Sequence, residues 1–158
     1  MRVILLTVLI SGVSFGTVAP NFQADTLAGK KISLGESLKP GRALLVSFWA
    51  SWCTPCIEEL THVTEHLKAE PNLPLDVISV NVDTSETATD IKPSVRMHKI
   101  PFTVALDPKQ EILAKYNTSK TLPFSVLVGS TGNIEATFNG FHEGMFAKVK
   151  EIVTKTTK

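Results

Sequence analysis

The chain has 158 residues, of which 43% are hydrophobic and 20% are charged, and its formal net charge is +1. This length and composition predict one globular domain with an adequate hydrophobic core. The 16 lysines and arginines are nearly balanced by 15 aspartates and glutamates, and no basic run occurs. The charge pattern therefore argues against a nucleic-acid-binding protein.

The N-terminus differs in composition from the rest of the chain. A single arginine precedes an uncharged, apolar run over residues 3–15, and small residues follow it. This pattern is typical of a secretory signal peptide that is cleaved after Gly16. The alternative is an uncleaved membrane anchor, although the run is shorter than the roughly 20 apolar residues that a span needs. Both interpretations predict a signal or anchor segment over residues 1–16 and a domain over residues 17–158 that works in the periplasm or another extracytoplasmic compartment.

The first half of the domain begins with strand-like patterns. Residues 22–34 alternate in hydrophobicity around a glycine, as the two arms of a β-hairpin do. Residues 43–50 are almost continuously apolar, which is typical of a central strand covered on both faces. Apolar residues then recur every three or four positions, so residues 54–69 are predicted to form a helix.

The second half repeats the alternation of strand and helix. Pro93 is expected either to kink its predicted helix or to confine the regular helix to one side. Strands that alternate with helices and end in a hairpin indicate an α/β fold, and no linker divides it. Further strands are predicted at residues 74–82, 102–106, 124–129 and 134–140, and helices at residues 87–99, 111–116 and 142–153.

The only two cysteines lie where the buried strand ends and the first long helix begins. Pro55 fits this placement, because proline is tolerated in the first turn of a helix. The N–H groups and the dipole at a helix N-terminus favour a thiolate, so Cys53 is predicted to be the nucleophile. Cys56, one turn later on the same face, can close a disulfide onto it. So short a loop adds little stability, which favours a working dithiol over a structural disulfide.

A metal site is another use of a cysteine pair. Zinc takes about four ligands, and only the histidines could supply the others. His62 and His66 are one turn apart on the predicted helix, but such residues are more often part of a solvated face. No complete ligand shell is evident, so neither a metal nor another cofactor is expected.

Four segments together resemble the TlpA/ResA-type branch of the thioredoxin superfamily: VSFWASWCTPC, APNF, TLPFSVLV and GSTGNIEATFNG. The similarity spans residues 19–153. It implies a thioredoxin-like three-layer α/β fold, with a central mixed sheet, an N-terminal hairpin and a strand–helix insertion. Residues 75–106 are long enough to carry that insertion.

The resemblance also implies roles for individual residues. Cys53 resembles the attacking cysteine and Cys56 the resolving cysteine of a redox-active disulfide. Pro123 matches the family's cis-proline, next to which Leu122 offers its backbone to an extended substrate. Glu59 matches an acidic residue near the active site, and the alternative is an ordinary exposed glutamate of the helix.

Three more positions bear on the expected mechanism. Trp49 and Trp52 are expected to form an apolar rim with Pro123, and the alternative places Trp49 in the core. Ser47 stands where many thioredoxins carry a buried aspartate, which leaves the proton acceptor open. Glu59 or a water near it is the candidate for that acceptor.

The predicted activity is thiol-disulfide exchange. We expect a monomeric reductase of disulfides in exported proteins, for example in cytochrome c maturation, which receives electrons from a membrane-embedded thiol carrier. The alternatives are a periplasmic copper chaperone, a disulfide-introducing enzyme and a peroxidase of the same superfamily. Val46 and Ala50 disfavour the peroxidase, because related peroxidases carry proline and threonine or serine at these positions.

Overall fold

A computed structural model describes residues 16–156 of the chain, and these residues form seven strands and five α-helices. The strands are β1 (Gln23–Asp25), β2 (Lys31–Ser33), β3 (Ala43–Trp49), β4 (Leu75–Asn81), β5 (Thr103–Leu106), β6 (Phe124–Val128) and β7 (Ile134–Asn139). The helices are α1 (Leu34–Ser37), α2 (Thr54–Ala69), α3 (Ile91–Met97), α4 (Glu111–Tyr116) and α5 (Met145–Thr156).

Five of the strands form one mixed sheet in the order β5-β4-β3-β6-β7. Strands β3, β4 and β5 are parallel to one another, whereas β6 and β7 run antiparallel to their neighbours. Strand β3 lies in the centre, and all seven of its residues are buried, as its continuous apolar run predicts. Strands β1 and β2 form a separate antiparallel hairpin, which joins the edge of the sheet through a bridge between Thr26 and Ala105. The predicted α/β fold is confirmed.

Side chains of β3 alternate between two hydrophobic clusters, one on each face of the sheet. Leu45 packs in a cluster that also contains Val63 of α2 and Val149 of α5. Phe48 packs on the opposite face, where the ring of Tyr116 in α4 lies 5.7 Å from its ring. Helices therefore cover both faces of the sheet, which gives the three layers.

Helix α3 begins later than its sequence pattern predicts. A 3-10 turn over Ala88–Asp90 precedes it, and the regular helix starts at Ile91. Pro93 is therefore in the first turn, where its missing N–H needs no partner within the helix. Only Ile91 and Lys92 precede Pro93 in the regular helix, so most of the helix lies on one side of the proline, close to the second of the two expected outcomes.

The predicted signal or anchor segment lies outside the described residues except for Gly16, so it remains a prediction. Within residues 16–156, none of the helices combines the length and the apolar character needed to cross a membrane.

Candidate active site

The two cysteines lie at the junction between strand β3 and helix α2. Cys53 is the N-cap of α2 in an extended conformation, and its carbonyl oxygen accepts hydrogen bonds from the N–H groups of Cys56 and Ile57 at 3.1 and 3.2 Å. The two sulfur atoms form a disulfide with an S–S distance of 2.05 Å. Cys53 is 5% exposed and Cys56 is 1% exposed, so Cys53 is the more accessible of the pair.

The peptide bond between Leu122 and Pro123 is cis, as the resemblance implies. Pro123 immediately precedes β6, and the pairing of Phe48 with Phe124 places it beside the end of β3 that leads to the cysteines. No described residue makes a backbone hydrogen bond to the N–H or carbonyl group of Leu122. The N–H and carbonyl groups of Leu122 are therefore without backbone partners among the described residues.

The two tryptophans differ in exposure. The side chain of Trp52 is 63% exposed and stands directly before Cys53, so it contributes an apolar surface beside the disulfide. Trp49 is completely buried, and its indole N–H has no partner among the described residues. The expectation that Trp49 forms part of the rim is wrong, because its side chain belongs to the core.

Glu59 is a buried carboxyl group one helical turn after Cys56, and only 1% of its surface is exposed. Its Oε1 atom accepts hydrogen bonds from the hydroxyls of Ser47 at 2.9 Å and Ser125 at 2.5 Å. These serines face each other across β3 and β6, so both hydroxyls reach one carboxyl oxygen. The Oε2 atom has no partner within residues 16–156.

Burial determines the protonation of Glu59. It raises the pKa of the carboxyl group, and the hydrogen bonds from Ser125 and Ser47 offset part of that rise. A carboxyl group of this kind takes up a proton more readily than an exposed glutamate does. The interpretation of Glu59 as an exposed residue of the helix is therefore wrong, while its chemical role remains a prediction.

A second buried carboxylate, Asp83, holds the segment that leads to the cysteines. Its two oxygens accept hydrogen bonds from the backbone N–H of Ser51 at 2.7 Å and from the Ser51 hydroxyl at 2.6 Å. The side-chain amide of Asn81 donates a third bond of 2.7 Å. Burial raises the pKa of Asp83, but these hydrogen bonds outweigh it and lower the pKa below its ordinary range. An ionised Asp83 thus fixes the residue that precedes Trp52.

The histidines of α2 pack against aromatic rings. The His66 ring stacks on Phe146 with a centroid distance of 4.3 Å, and the His62 ring lies 5.0 Å from that of Phe141. In the described part of the chain, no group of three or more His, Cys, Asp or Glu side chains is placed to hold a metal ion.

Comparison with known proteins identifies the family. The sequence profile of the AhpC/TSA family matches residues 15–137, which is well over half of the chain. The chain belongs to the AhpC/TSA family. The thiol-disulfide oxidoreductase ResA of Bacillus cereus is 31% identical over an alignment of 148 positions, and the match covers 84% of this chain and 83% of that relative.

Solved structures agree with this assignment. A thiol-disulfide oxidoreductase from Bacteroides fragilis is 25% identical with a TM-score of 0.73, and the match covers 86% of this chain and 99% of that one. StoA from Bacillus subtilis is 29% identical with a TM-score of 0.66, and the match covers 86% and 98% of the two chains. This AhpC/TSA-family protein is a thiol-disulfide oxidoreductase of the thioredoxin superfamily, so the resemblance to ResA-type proteins is confirmed.

The sequence interpretation missed one member of the site in this AhpC/TSA-family protein. Asp83 follows the buried strand β4 by two residues, and β4 runs parallel to β3, which leads to the cysteines. Because the carboxyl ends of parallel strands meet at one edge of a sheet, this pattern places Asp83 near the cysteine pair. The aspartate directly after the predicted strand over residues 74–82 was the signal that could have revealed it.

Proposed function

We propose that the protein is an exported reductase of protein disulfides that uses Cys53 and Cys56 as its dithiol. The observation that carries this proposal is the position of the cysteine pair at the N-terminus of α2, with Cys53 more exposed and Cys56 one turn deeper. A thiolate at Cys53 is stabilised there by the helix dipole and is the one that a substrate can reach.

The proposed reaction has two exchange steps. The Cys53 thiolate attacks one sulfur of a substrate disulfide, forms a mixed disulfide and releases the other substrate sulfur as a thiolate. The Cys56 thiolate then attacks the Cys53 sulfur, which releases the second substrate thiolate and leaves the Cys53–Cys56 disulfide. Two electrons pass from the dithiol to the substrate.

Glu59 is the proposed acceptor of the proton that Cys56 must lose. It lies one turn after Cys56 and is buried, and burial raises its pKa, which makes its carboxylate a better base than an exposed glutamate. Ser47 and Ser125 hold the carboxyl group in place through Oε1 and leave Oε2 without a partner among the described residues.

The substrate is proposed to bind as an extended segment across the cysteine pair. The backbone of Leu122 is available for hydrogen bonds, and the exposed ring of Trp52 provides an apolar contact. Pro123 immediately precedes β6, whose first residue pairs with Phe48 near the end of β3 that leads to the cysteines. Extended peptides of this kind are recognised through main-chain hydrogen bonds.

We assign this activity to an extracytoplasmic compartment because of the apolar N-terminal run. The proposed substrates are exported proteins with disulfides, such as those that mature into cytochromes c, and the proposed electron donor is a membrane-embedded thiol carrier. The protein is proposed to act as a monomer.

Substitution of each cysteine tests the mechanism. Cys53→Ser should abolish the reduction of insulin disulfides, because it removes the attacking thiolate. Cys56→Ser should form stable mixed disulfides with substrates and not turn over, and mass spectrometry of the trapped complexes would identify the partners. Full multiple-turnover activity in Cys56→Ser would contradict the dithiol mechanism. Trapped partners that are all cytoplasmic would contradict export and leave the chemistry intact.

A further inference from the structure

A groove lies between the N-terminal hairpin, helix α3 and the start of strand β5, with a volume of about 620 Å³. We call it the hairpin–α3 groove. Its lining comes from residues 26–32, 92–96 and 102–104 and includes neither cysteine. Strand β5 is the edge of the sheet, two strands away from β3, which leads to the cysteines. The groove is therefore separate from the dithiol site.

The floor of the hairpin–α3 groove is apolar. Val104 is 5% exposed, and the other apolar side chains of the floor are only partly buried against the core. These are Leu27, Ile32, Val95 and Phe102. Apolar surface thus remains open to a ligand inside a cavity of a size that is usual for small-molecule sites.

The sides of the groove carry four cations and no carboxylate. Lys31 pairs with Asp25 at 3.2 Å, in a bridge whose two side chains are both largely exposed. Lys30, Lys92 and Arg96 make no ion pair with any carboxylate in residues 16–156. In a chain whose net charge is only +1, this is a local concentration of positive charge.

The arrangement on α3 does not help the helix to fold. Lys92 and Arg96 are one turn apart on the same helix, and like charges at this spacing are mildly destabilising. A bound anion would neutralise this repulsion, and its hydrogen bonds with the cations would be charge-assisted.

We propose that the hairpin–α3 groove binds a single-chain anionic amphiphile, namely a free long-chain fatty carboxylate. Its hydrocarbon chain would lie on the apolar floor, and its carboxylate would bind the cations of the rim. A free carboxylate with one chain suits a cavity of this volume, whereas a membrane surface would not need an apolar groove. This site is independent of the proposed reductase activity.

Calorimetric titration of the oxidised protein with dodecanoate, below its micelle concentration, tests the proposal. We expect saturable one-to-one binding of dodecanoate. Dodecyltrimethylammonium has the same chain length and a positive charge, and it should bind more weakly by about tenfold or more. Amide shift changes in a ¹⁵N correlation spectrum should centre on Leu27, Val95 and Phe102. Equal affinity for the two amphiphiles, or shifts centred elsewhere, would overturn the proposal.

Charge reversal at the rim provides the matched comparison. The double substitution Lys92→Glu/Arg96→Glu should weaken dodecanoate binding about tenfold or more. The control Lys68→Glu/Lys109→Glu changes the net charge equally at two exposed lysines outside the groove, and it should leave binding unchanged. Equal losses in both variants would show an effect of net charge alone and would contradict the site. Binding to phosphatidylglycerol vesicles without binding of dodecanoate would assign the patch to a membrane surface and would also overturn the proposal.

Discussion

Glu59 and Ser47 show how one buried acid is placed in this site. Ser47 on strand β3 stands where many thioredoxins carry a buried aspartate. Its hydroxyl donates a hydrogen bond to the carboxyl group of Glu59, which comes from helix α2. The acid therefore reaches the region of Cys56 from the helix rather than from the strand. The sequence pattern could name Glu59 only through family resemblance, because helical spacing alone does not separate a buried glutamate from an exposed one.

The effect of Glu59 on stability should depend on pH. Its pKa in the folded protein is raised above the ordinary value of 4.5, so the folded state holds the proton longer than the unfolded state does. Stability should therefore fall as the pH rises from about 4.5 through the folded pKa, by at most about 1.4 kcal/mol per pH unit. Glu59→Gln removes this loss, so the variant should be more stable than the wild type at pH 7 and similar to it near pH 4 in urea unfolding.

The exposed neighbour Glu58 provides the control for this experiment. Glu58→Gln should leave the pH dependence of unfolding unchanged. If Glu59→Gln were less stable than the wild type at pH 7, the ionised carboxylate would be stabilising, and the assigned direction of its pKa shift would be wrong. A slower release of substrate from the mixed disulfide in Glu59→Gln, at unchanged stability at pH 4, would support its role as proton acceptor.

Asp83 should act on both stability and reactivity. Asp83→Asn replaces an ionised acceptor of three hydrogen bonds by a group that brings its own N–H donors toward Ser51 and Asn81. We expect a loss of about 1–3 kcal/mol in the free energy of unfolding at pH 7. Because the folded pKa of Asp83 is lowered, the stability that it provides is lost as the pH falls through that pKa, and the difference between variant and wild type should shrink in acid.

A carboxylate at the other end of the same strand serves as the matched control for Asp83. Asp76 makes ion pairs with Arg42 and Lys39 near the amino end of β4, far along the strand from the cysteines. Asp83→Asn and Asp76→Asn should both alter stability. Only Asp83→Asn should change the rate at which a thiol reagent modifies reduced Cys53. Equal rates in the two variants would limit Asp83 to a structural role.

At the level of elements, the sequence predicts strand β3 and helix α2 well. The continuous apolar run ends within one residue of the observed strand, and the predicted helix bounds coincide with those of α2. Both patterns are strong because β3 is buried on both faces and α2 has one apolar face. The predicted starts of helices α3 and α5 lie about three or four residues before the observed starts. The polar turns at these positions show no apolar periodicity, so the sequence does not mark the first helical residue.

The start of α2 should control the balance between the thiol and disulfide states. Pro55 removes one backbone N–H from the first turn, and Thr54 adds no positive charge beside Cys53. Pro55→His would restore a donor and add a group that carries positive charge, which stabilises the reduced thiolate form. We expect the reduction potential to rise by about 30 mV or more, which corresponds to a tenfold change in the equilibrium constant.

Thr54→Ser is the control for Pro55→His, because it changes the same turn without adding a donor or a charge. Its potential should stay within a few millivolts of the wild type when both are equilibrated with glutathione. A potential for Pro55→His at or below that of the wild type would contradict the argument that this turn sets the stability of the thiolate.

At the level of the whole molecule, the sequence predicts the layers but not every side chain that the topology brings together. The parallel pairing of β3 with β4 places Asp83 beside Ser51, and the antiparallel pairing of β3 with β6 places Ser125 beside Ser47. These contacts join residues that are 32 and 78 positions apart in sequence. Local periodicity carries no information about such pairs. The place of Asp83 directly after a predicted strand is a sequence signal for the first pair, whereas the second pair follows only from the strand order.

The residues of the first turn of α2 bear on the direction of electron flow, and so on the proposed reductase function of the whole molecule. A general oxidant has a potential of about −120 mV, because its reduced form is strongly stabilised, whereas thioredoxin has a potential of about −270 mV. Apart from the helix dipole, the first turn of α2 adds little that would stabilise a thiolate: it contains no lysine or arginine, and Pro55 lacks an N–H. A less stabilised reduced form corresponds to a more reducing couple. We therefore predict a potential below about −200 mV. Equilibration of the purified domain with glutathione and dithiothreitol buffers measures this potential directly. A midpoint close to that of the strong oxidants would contradict the proposed reductase function and would indicate a disulfide-introducing enzyme. The assignment to thiol-disulfide exchange would remain valid.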